Sequence, residues 1–232
     1  MLDTHFWKKY FKTYDVLNLL IPYQELLDTI VKSAEIKAGD VVLDAGAGTG
    51  NLSIKLKDAG ARVIALDYSK EGLECLRLKD ISIEAIKHDL LDALPFADNH
   101  FDKVVSNNVI YLIEPSKRLF VTKEFYRVLK PGGKIVLSNL MKGWNPIIIY
   151  REHLYKDMRK IGMMKLFFKI LRYIIPCVKI FYYNFFILKE GKNTFLEQGK
   201  QHELLRGAGF SDLGPSRLVY AGQAMIDAGC KI

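Results

Sequence analysis

The chain has few cysteines, and the three that are present form no recognisable pattern. Cys75, Cys177 and Cys230 are scattered through 232 residues, with neither the paired spacing of a zinc site nor an obvious disulfide framework. No cluster of histidine, cysteine and carboxylate residues indicates a metal. The sequence therefore argues against a disulfide-stabilised domain, predicts no bound metal and favours a reducing compartment.

Segments that target a protein to a membrane are also missing. The first residues lack the basic start and apolar core of a secretory signal. Every long apolar window contains a Lys, Arg or Pro near its centre, where a membrane-spanning helix needs almost uncharged sequence. We therefore expect a cytoplasmic protein, with membrane association, if any, at the surface only.

Acidic residues are scarce in one region only. The formal net charge is +8, and between Lys142 and Lys192 eleven Lys and Arg residues stand against three Asp and Glu residues. The rest of the chain is balanced, so this one segment carries the whole net charge. A charge that served only solubility would be spread over the surface, so the segment needs its own explanation.

The most informative feature that is present is a strand, a glycine-rich turn and a helix. The apolar run Val41–Ala45 predicts a buried strand, and the three glycines that alternate after it allow a tight turn. Helical spacing begins at Leu52, with Thr49 or Asn51 as the expected N-cap. The pattern predicts a nucleotide pocket at the end of the strand.

This pocket does not fit a dinucleotide. The pattern G-x-G-x-x-G needs a third glycine where the chain has Asn51. Asp44, at the mouth of the strand, would repel a diphosphate and attract an ammonium or sulfonium group. Asp67 ends the next predicted strand, where a carboxylate can accept hydrogen bonds from ribose hydroxyls. These residues favour a cationic nucleoside.

The glycine-rich stretch resembles the first motif of class I S-adenosylmethionine-dependent methyltransferases. Further segments resemble later motifs of that family in the same order: His88-Asp89-Leu90, Phe101 to Asn108, and Arg127 to Leu137 with its Pro-Gly-Gly turn. The helix Tyr14 to Asn18 and the segment Leu94-Pro95-Phe96 are similar to those of quinone-biosynthesis enzymes in the type 11 group. Near the C-terminus, a helix from Leu196 to Arg206 and a last strand from Arg217 to Ala221 resemble the closing hairpin.

The resemblance implies a fold and a domain organisation. It implies an α/β fold with a Rossmann-like, seven-stranded, mostly parallel sheet, helices on both faces, and a helical lid inserted before the final hairpin. Residues 1–141 and 193–232 would form the methyltransferase domain, with residues 1–36 as a helical cover divided near Ile21-Pro22. Residues 142–192 would form the basic, aromatic insertion, whose main helix we expect Pro176 to divide.

The resemblance also implies a methyl donor, S-adenosyl-L-methionine, and a product, S-adenosyl-L-homocysteine. Asp44, Gly46 and Gly48 would bind the methionine end, Asp67 the ribose, and Asp89 with Leu90 the adenine. Tyr10 or Tyr14 would close over the methionine carboxylate. The implied cofactor-binding set is Tyr14, Asp44, Ala45, Gly46, Gly48, Asp67, Tyr68, Asp89, Leu90 and Asn107. The candidates for a catalytic role toward the acceptor are Tyr111 and His202.

The insertion admits several interpretations. Lys165, Lys169, Arg172 and Lys179 share one stripe of a helix that is otherwise apolar. Residues 161–188 could lie in a membrane interface, line a cavity for an apolar substrate, or pack on the sheet or across a homodimer with the lysines solvated. Nucleic acid is a weaker alternative, because no nucleic-acid-binding motif accompanies the aromatic residues.

The acceptor is the least determined part of the prediction. The loop from Ser106 to Tyr111 lacks the Asn/Asp-Pro-Pro-Tyr sequence of enzymes that methylate exocyclic amines, which argues against DNA bases. We predict a small-molecule or lipid-like apolar acceptor, methylated at carbon or oxygen. The alternatives are an RNA or protein methyltransferase and a catalytically silent scaffold that binds S-adenosylmethionine.

Overall fold

A seven-stranded sheet forms the centre of the protein. The structure is a computed structural model that describes residues 9–11, 13–189 and 194–232; the predicted cover before residue 9 and residues 190–192 of the insertion lie outside them. The strand order is β3-β2-β1-β4-β5-β7-β6. Only β7 runs antiparallel to its two neighbours, so the predicted Rossmann-like, seven-stranded, mostly parallel sheet is confirmed. The strands are β1 (Val41–Ala45), β2 (Arg62–Asp67), β3 (Glu84–Lys87), β4 (Phe101–Asn107), β5 (Leu129–Leu140), β6 (Arg217–Val219) and β7 (Ala224–Cys230).

Helices cover both faces of the sheet. Val42 and Leu43 are adjacent on β1 but belong to opposite core layers, because successive side chains of a strand point to opposite faces. The helical segments are α1 (residues 9–11 and 13–14), the 3-10 helix η1 (Asp15–Leu19), α2 (Ile21–Ala34), α3 (Asn51–Asp58), α4 (Lys70–Lys79), the 3-10 helix η2 (Ile110–Leu112), α5 (Pro115–Val128), α6 (Pro146–Ile161), α7 (Met163–Lys189) and α8 (Lys200–Ala208).

The N-terminal helices divide one residue before the predicted position. Leu20 has extended backbone, and α2 begins at Ile21 with Pro22 in its first turn, where the missing N–H of proline costs no hydrogen bond. The α2 residues Leu26, Leu27 and Ile30 are completely buried against the sheet. This packing fixes η1 and α1 above the carboxyl ends of the strands.

Five predicted local features were wrong. The N-cap of α3 is Gly50, with φ of 77°, and neither Thr49 nor Asn51 caps it. The predicted Pro-Gly-Gly turn lies inside β5 as an irregularity, since the pairing with β4 shifts between Phe101 and Lys103. The C-terminal helix α8 starts at Lys200, and the last strand is β7. The backbone of α7 stays helical through Pro176.

The insertion forms two helices joined at Gly162. Asn145 caps α6 by accepting a hydrogen bond from the Ile147 amide at 2.9 Å, and Gly162 ends it with φ of 80°. His153 of α6 accepts a hydrogen bond from the amide of Ile21 at 3.2 Å, which ties the insertion to the start of α2. Within the described residues, every helix is too short or too polar to cross a membrane.

Candidate active site

A cavity of about 1510 Å³ opens at the carboxyl ends of the parallel strands. Ligands of open α/β sheets bind at this edge, because the loops after the strands diverge there. One half of the wall comes from the ends of β1, β2 and β3 and contains most of the charged residues. The other half comes from α1, η1, α2, η2 with the residues that follow it, the end of β5, α6 and the segments around residues 194 and 220. We call them the donor half and the acceptor half.

The glycine-rich loop shapes the donor half. The amides of Gly46 and Ala47 donate to the carbonyl of Leu66 at 2.7 and 3.0 Å, which fixes the loop against β2. Gly46 has φ of 85°, and a Cβ at that position would lie 2.2 Å from Cγ2 of Val109. A side chain is therefore excluded twice, by the backbone conformation and by the β4 loop.

Two buried carboxylates lie at the floor of this half. Asp67 accepts hydrogen bonds from the amides of Gly48 and Ser69, each at 2.7 Å, and burial raises its pKa. Asp44 accepts one from the hydroxyl of Ser53 at 2.6 Å. Burial raises the pKa of Asp44 to about 7. A cation bound beside them would favour their ionised forms.

The N-terminal cover is fastened to the donor half through one ammonium group. Lys79 of α4 donates to the Asp15 carboxylate at 2.7 Å, and to the Thr49 carbonyl and the Asn51 side-chain oxygen at 2.8 Å each. The Thr49 hydroxyl donates to Asp15 as well, at 2.8 Å, and Asn18 donates to Asn51 at 2.9 Å. These contacts join η1, the glycine-rich loop and α4 beside the cavity.

The donor half fits a sulfonium nucleoside. Among the described residues its two buried carboxylates are hydrogen-bonded by neutral donors only, so they can attract a cation, whereas a pyrophosphate would meet repulsion there. Asn107, which lines the cavity, has a buried side-chain oxygen with no hydrogen-bond partner in the described part of the chain. Such an oxygen can accept a hydrogen bond from a bound ammonium or hydroxyl group.

The acceptor half is aromatic. Tyr111 of η2 stacks on Phe195 with ring centroids 4.7 Å apart, and Trp144 lies against the same ring at 6.2 Å. Tyr23 and Tyr220 approach within 6.1 Å. Apart from Glu114, which is exposed, none of the described residues that this half contributes to the wall is charged; they are Tyr10, Phe11, Tyr14, Leu17, Leu20, Tyr23, Tyr111, Leu112, Ile113, Pro115, Leu140, Trp144, Pro146, Ile149, Tyr150, Thr194, Phe195 and Tyr220.

The structure brings most of the predicted site residues together. The cavity wall includes Tyr14, Asp44, Gly46, Gly48, Asp67, Tyr68, Asp89, Leu90, Asn107 and Tyr111. Ala45 is buried behind the wall, where its carbonyl accepts a hydrogen bond from Ser106 at 2.7 Å. Their roles toward the donor stay predictions.

The position of His202 does not support its predicted catalytic role. His202 lies on α8 and is absent from the cavity wall, and its Nδ1 is 3.4 Å from the Asp227 carboxylate of β7. That carboxylate also accepts hydrogen bonds from Ser216 and Gln201. His202 thus belongs to a polar network behind the sheet, and we correct the assignment.

Sequence reasoning missed several residues of the acceptor half. Tyr23, Tyr150 and Tyr220 come from α2, α6 and the turn after β6. Each looks like an ordinary core aromatic residue in the sequence, and only the fold shows that they share a cavity. The aromatic content of the insertion was the one available signal, and for Tyr150 it pointed the right way.

Comparisons with known proteins identify the family of this chain. A family model for a methyltransferase domain matches residues 42–133. The chain is similar to a demethylmenaquinone methyltransferase of Anoxybacillus flavithermus, with 30% identity over 212 residues that cover 85% of this chain and 82% of the relative. It is also similar to one of Paenarthrobacter aurescens, with 36% identity over 129 residues, 55% of this chain. That match spans 48% of the relative, so the chain covers about half of its length.

A solved structure shows the same fold. The S-adenosylmethionine-dependent methyltransferase of Thermotoga maritima aligns with a TM-score of 0.61 and 18% identity, over 98% of this chain and 99% of that one. The motifs, the sheet order and the relatives lead to one conclusion. The chain belongs to the class I S-adenosylmethionine-dependent methyltransferases.

Proposed function

We propose that this methyltransferase acts on a neutral, largely apolar small-molecule or lipid-like acceptor, at carbon or oxygen. The observation that carries the proposal is the acceptor half of the cavity, whose described members are mainly aromatic and aliphatic side chains, with the exposed Glu114 as the one charged residue among them. A charged acceptor bound there would lose its hydration without gaining a partner. The relatives named demethylmenaquinone methyltransferase support a quinone-like acceptor only weakly.

Two hydrogen-bond donors in this half suit an acceptor that carries an oxygen. The Nε1 of Trp144 is buried without a hydrogen-bond partner in the described part of the chain. Tyr111 lines the same region, and both rings contact Phe195. We propose that they donate hydrogen bonds to a hydroxyl or keto oxygen of the acceptor, because buried donors of this kind are normally paired.

The reaction needs alignment more than acid–base chemistry. Bound S-adenosylmethionine supplies an already activated methyl group. The protein has to hold the nucleophile in line with that group and to exclude water, which the aromatic wall can do. Burial raises the pKa of Tyr111, so its hydroxyl stays protonated and acts as a hydrogen-bond donor rather than as a base. We propose that Tyr111 orients the acceptor.

Purified protein, S-adenosylmethionine and a panel of acceptors test the proposal. The panel contains hydroxylated aromatic compounds with and without an alkyl chain, matched amines, and RNA. We expect methyl transfer to the neutral aromatic members, with the position of the methyl group given by mass spectrometry and NMR. Turnover of only amines or RNA would refute it, and tight donor binding without any turnover would favour a silent scaffold.

A further inference from the structure

The helix α7 packs on the protein through a narrow inner face. Leu166 and Ile180 are buried, and the ring of Tyr183 lies 6.3 Å from that of Tyr10 in the wall of the cavity. Leu166 and Ile180 share one side of a helix with about 3.6 residues per turn, and Tyr183 lies at the edge of that side. Cys177 is half-buried on the same side, near Tyr150 of α6.

The outer face of α7 is apolar and exposed. Its large apolar side chains have between 37% and 77% of their surface exposed. Surface apolar residues are normally scattered, whereas a contiguous set marks a binding surface. We call this set the outer apolar face; its members are Met163, Met164, Phe167, Phe168, Ile170, Leu171, Ile174, Ile175, Val178, Phe181 and Tyr182.

A basic stripe borders this face. Lys165, Lys169, Arg172 and Lys179 are four, three and seven positions apart, and at about 100° per residue they follow one line of the helix. That line lies between the outer apolar face and the inner face, and Tyr183, at 18 positions after Lys165, falls on it. Lys165 and Lys179 are exposed, whereas the side chains of Lys169 and Arg172 lie outside the described part of the structure. Residues 163–189 contain no Asp or Glu.

The charge pattern indicates which kind of partner binds the outer apolar face. Two copies of α7 packed face to face about a two-fold axis would bring basic stripes together without an acidic partner on either helix. An anionic membrane surface complements both features, because its headgroups attract Lys and Arg while its acyl region accepts apolar side chains. A helix in that plane does not have to span the bilayer, in keeping with the absence of a spanning helix among the described residues.

We propose that the outer apolar face of α7 docks on an anionic lipid membrane, with the helix parallel to the surface and the basic stripe at the level of the headgroups. The inner face of the same helix contacts the aromatic wall of the cavity. The membrane would therefore lie against the side of the enzyme that holds the acceptor half. The proposal concerns a surface and does not depend on which acceptor is methylated.

Sedimentation with vesicles tests the proposal. The full chain is mixed with vesicles of phosphatidylcholine alone or of phosphatidylcholine with phosphatidylserine, and the bound fraction is measured. We expect binding to the mixed vesicles that weakens as salt is added. The double variant Leu171→Glu/Val178→Glu should bind at least about tenfold more weakly, because two side chains lose their burial in the acyl region. Lys165→Gln and Lys179→Gln should each weaken binding about fivefold, on the anionic vesicles only.

A matched variant controls for added charge. Leu78 is 88% exposed on α4, so Leu78→Glu introduces the same carboxylate away from α7 and should leave binding unchanged. All variants should keep the donor affinity of the wild type by calorimetry, which shows that they are folded. Absence of wild-type binding to anionic vesicles overturns the proposal. So does a dimer, measured by light scattering, that dissociates in Leu171→Glu/Val178→Glu while vesicles are not bound.

Discussion

The two halves of the cavity are built in different ways. The donor half comes from short segments that follow three neighbouring strands, and its side chains are held by backbone amides, as Asp67 is by Gly48 and Ser69. The acceptor half is assembled from segments that are up to 210 residues apart, from Tyr10 to Tyr220, and is held mainly by ring contacts. The donor is thus bound by local, polar geometry, and the acceptor by long-range apolar packing.

Removal of the Asp67 carboxylate should have the largest effect of the changes proposed, and it should weaken binding of the methyl donor. In Asp67→Ala, the amides of Gly48 and Ser69 lose their acceptor and the donor loses its proposed ribose contact. We expect affinity for S-adenosylmethionine to fall about a hundredfold, since hydrogen bonds to a charged group contribute about 1.5–3 kcal/mol each. Calorimetry measures the affinity for S-adenosylmethionine. Asp58→Ala, at the exposed end of α3, is the control; equal affinity in Asp67→Ala would contradict the ribose assignment.

Protonation of Asp44 should weaken the binding of a charged nucleoside more than the binding of a neutral one. Because burial raises the pKa of Asp44 to about 7, the carboxylate is protonated below that pH and ionised above it. From about pH 8 to about pH 6, the affinity for S-adenosylmethionine should fall up to about tenfold relative to that for S-adenosylhomocysteine, which lacks the sulfonium charge. Calorimetry over this range measures the ratio. Asp44→Asn should make the ratio independent of pH, and a ratio that still changes in that variant would rule Asp44 out.

A change in the acceptor half should leave the donor half intact. In Tyr111→Phe the ring still stacks on Phe195 while the hydroxyl is lost. We expect kcat/KM for the acceptor to fall about fivefold, the value of one hydrogen bond of about 1 kcal/mol, with unchanged donor affinity. Steady-state kinetics measures kcat/KM for the acceptor, and calorimetry measures the donor affinity. Tyr126→Phe, whose ring packs on Phe210 at 5.1 Å, is the matched control; a loss of donor affinity in Tyr111→Phe would refute the division into halves.

Lys79 should show where the two halves meet. In Lys79→Met, η1 loses its contact with α4, although Asn18 still binds Asn51. Because Asp15 is partly exposed, we expect only about a threefold loss in the affinity for the donor and a similar rise in the KM for the acceptor. Lys57→Met, which removes a comparable ion pair with Asp80, is the control. A variant that affects one half alone would show that η1 does not join them.

The same contrast explains what the sequence could predict. Asp44, Gly46, Gly48 and Asp67 were found because a local motif places them, and the parallel sheet followed from the alternation of strands and helices. The capping role of Asn51 was wrong because its side chain is hydrogen-bonded to Lys79 and Asn18, a contact between distant segments. His202 was misplaced because the register of α8 against β7 cannot be read from spacing.

The insertion was predicted as a region but not in its detail. Its charge and aromatic content can be read from the sequence. Which of its two helices lines the cavity and which faces outward depends on packing. Tyr150 of α6 lines the cavity, and most of α7 faces outward. Pro176 was expected to end a helix, yet its backbone stays helical; the lost hydrogen bond alone does not outweigh the rest of a long helix.

The absence of acidic residues from α7 has a kinetic consequence. The excess positive charge lies in residues 142–192, and five of the basic residues there are on α7, so the molecule has an electrical asymmetry. An external negative potential exerts a torque on it before any contact forms. At physiological salt this potential extends about 8 Å from a charged surface. Within that distance the enzyme would turn α7 toward the surface, so that a larger share of collisions is productive.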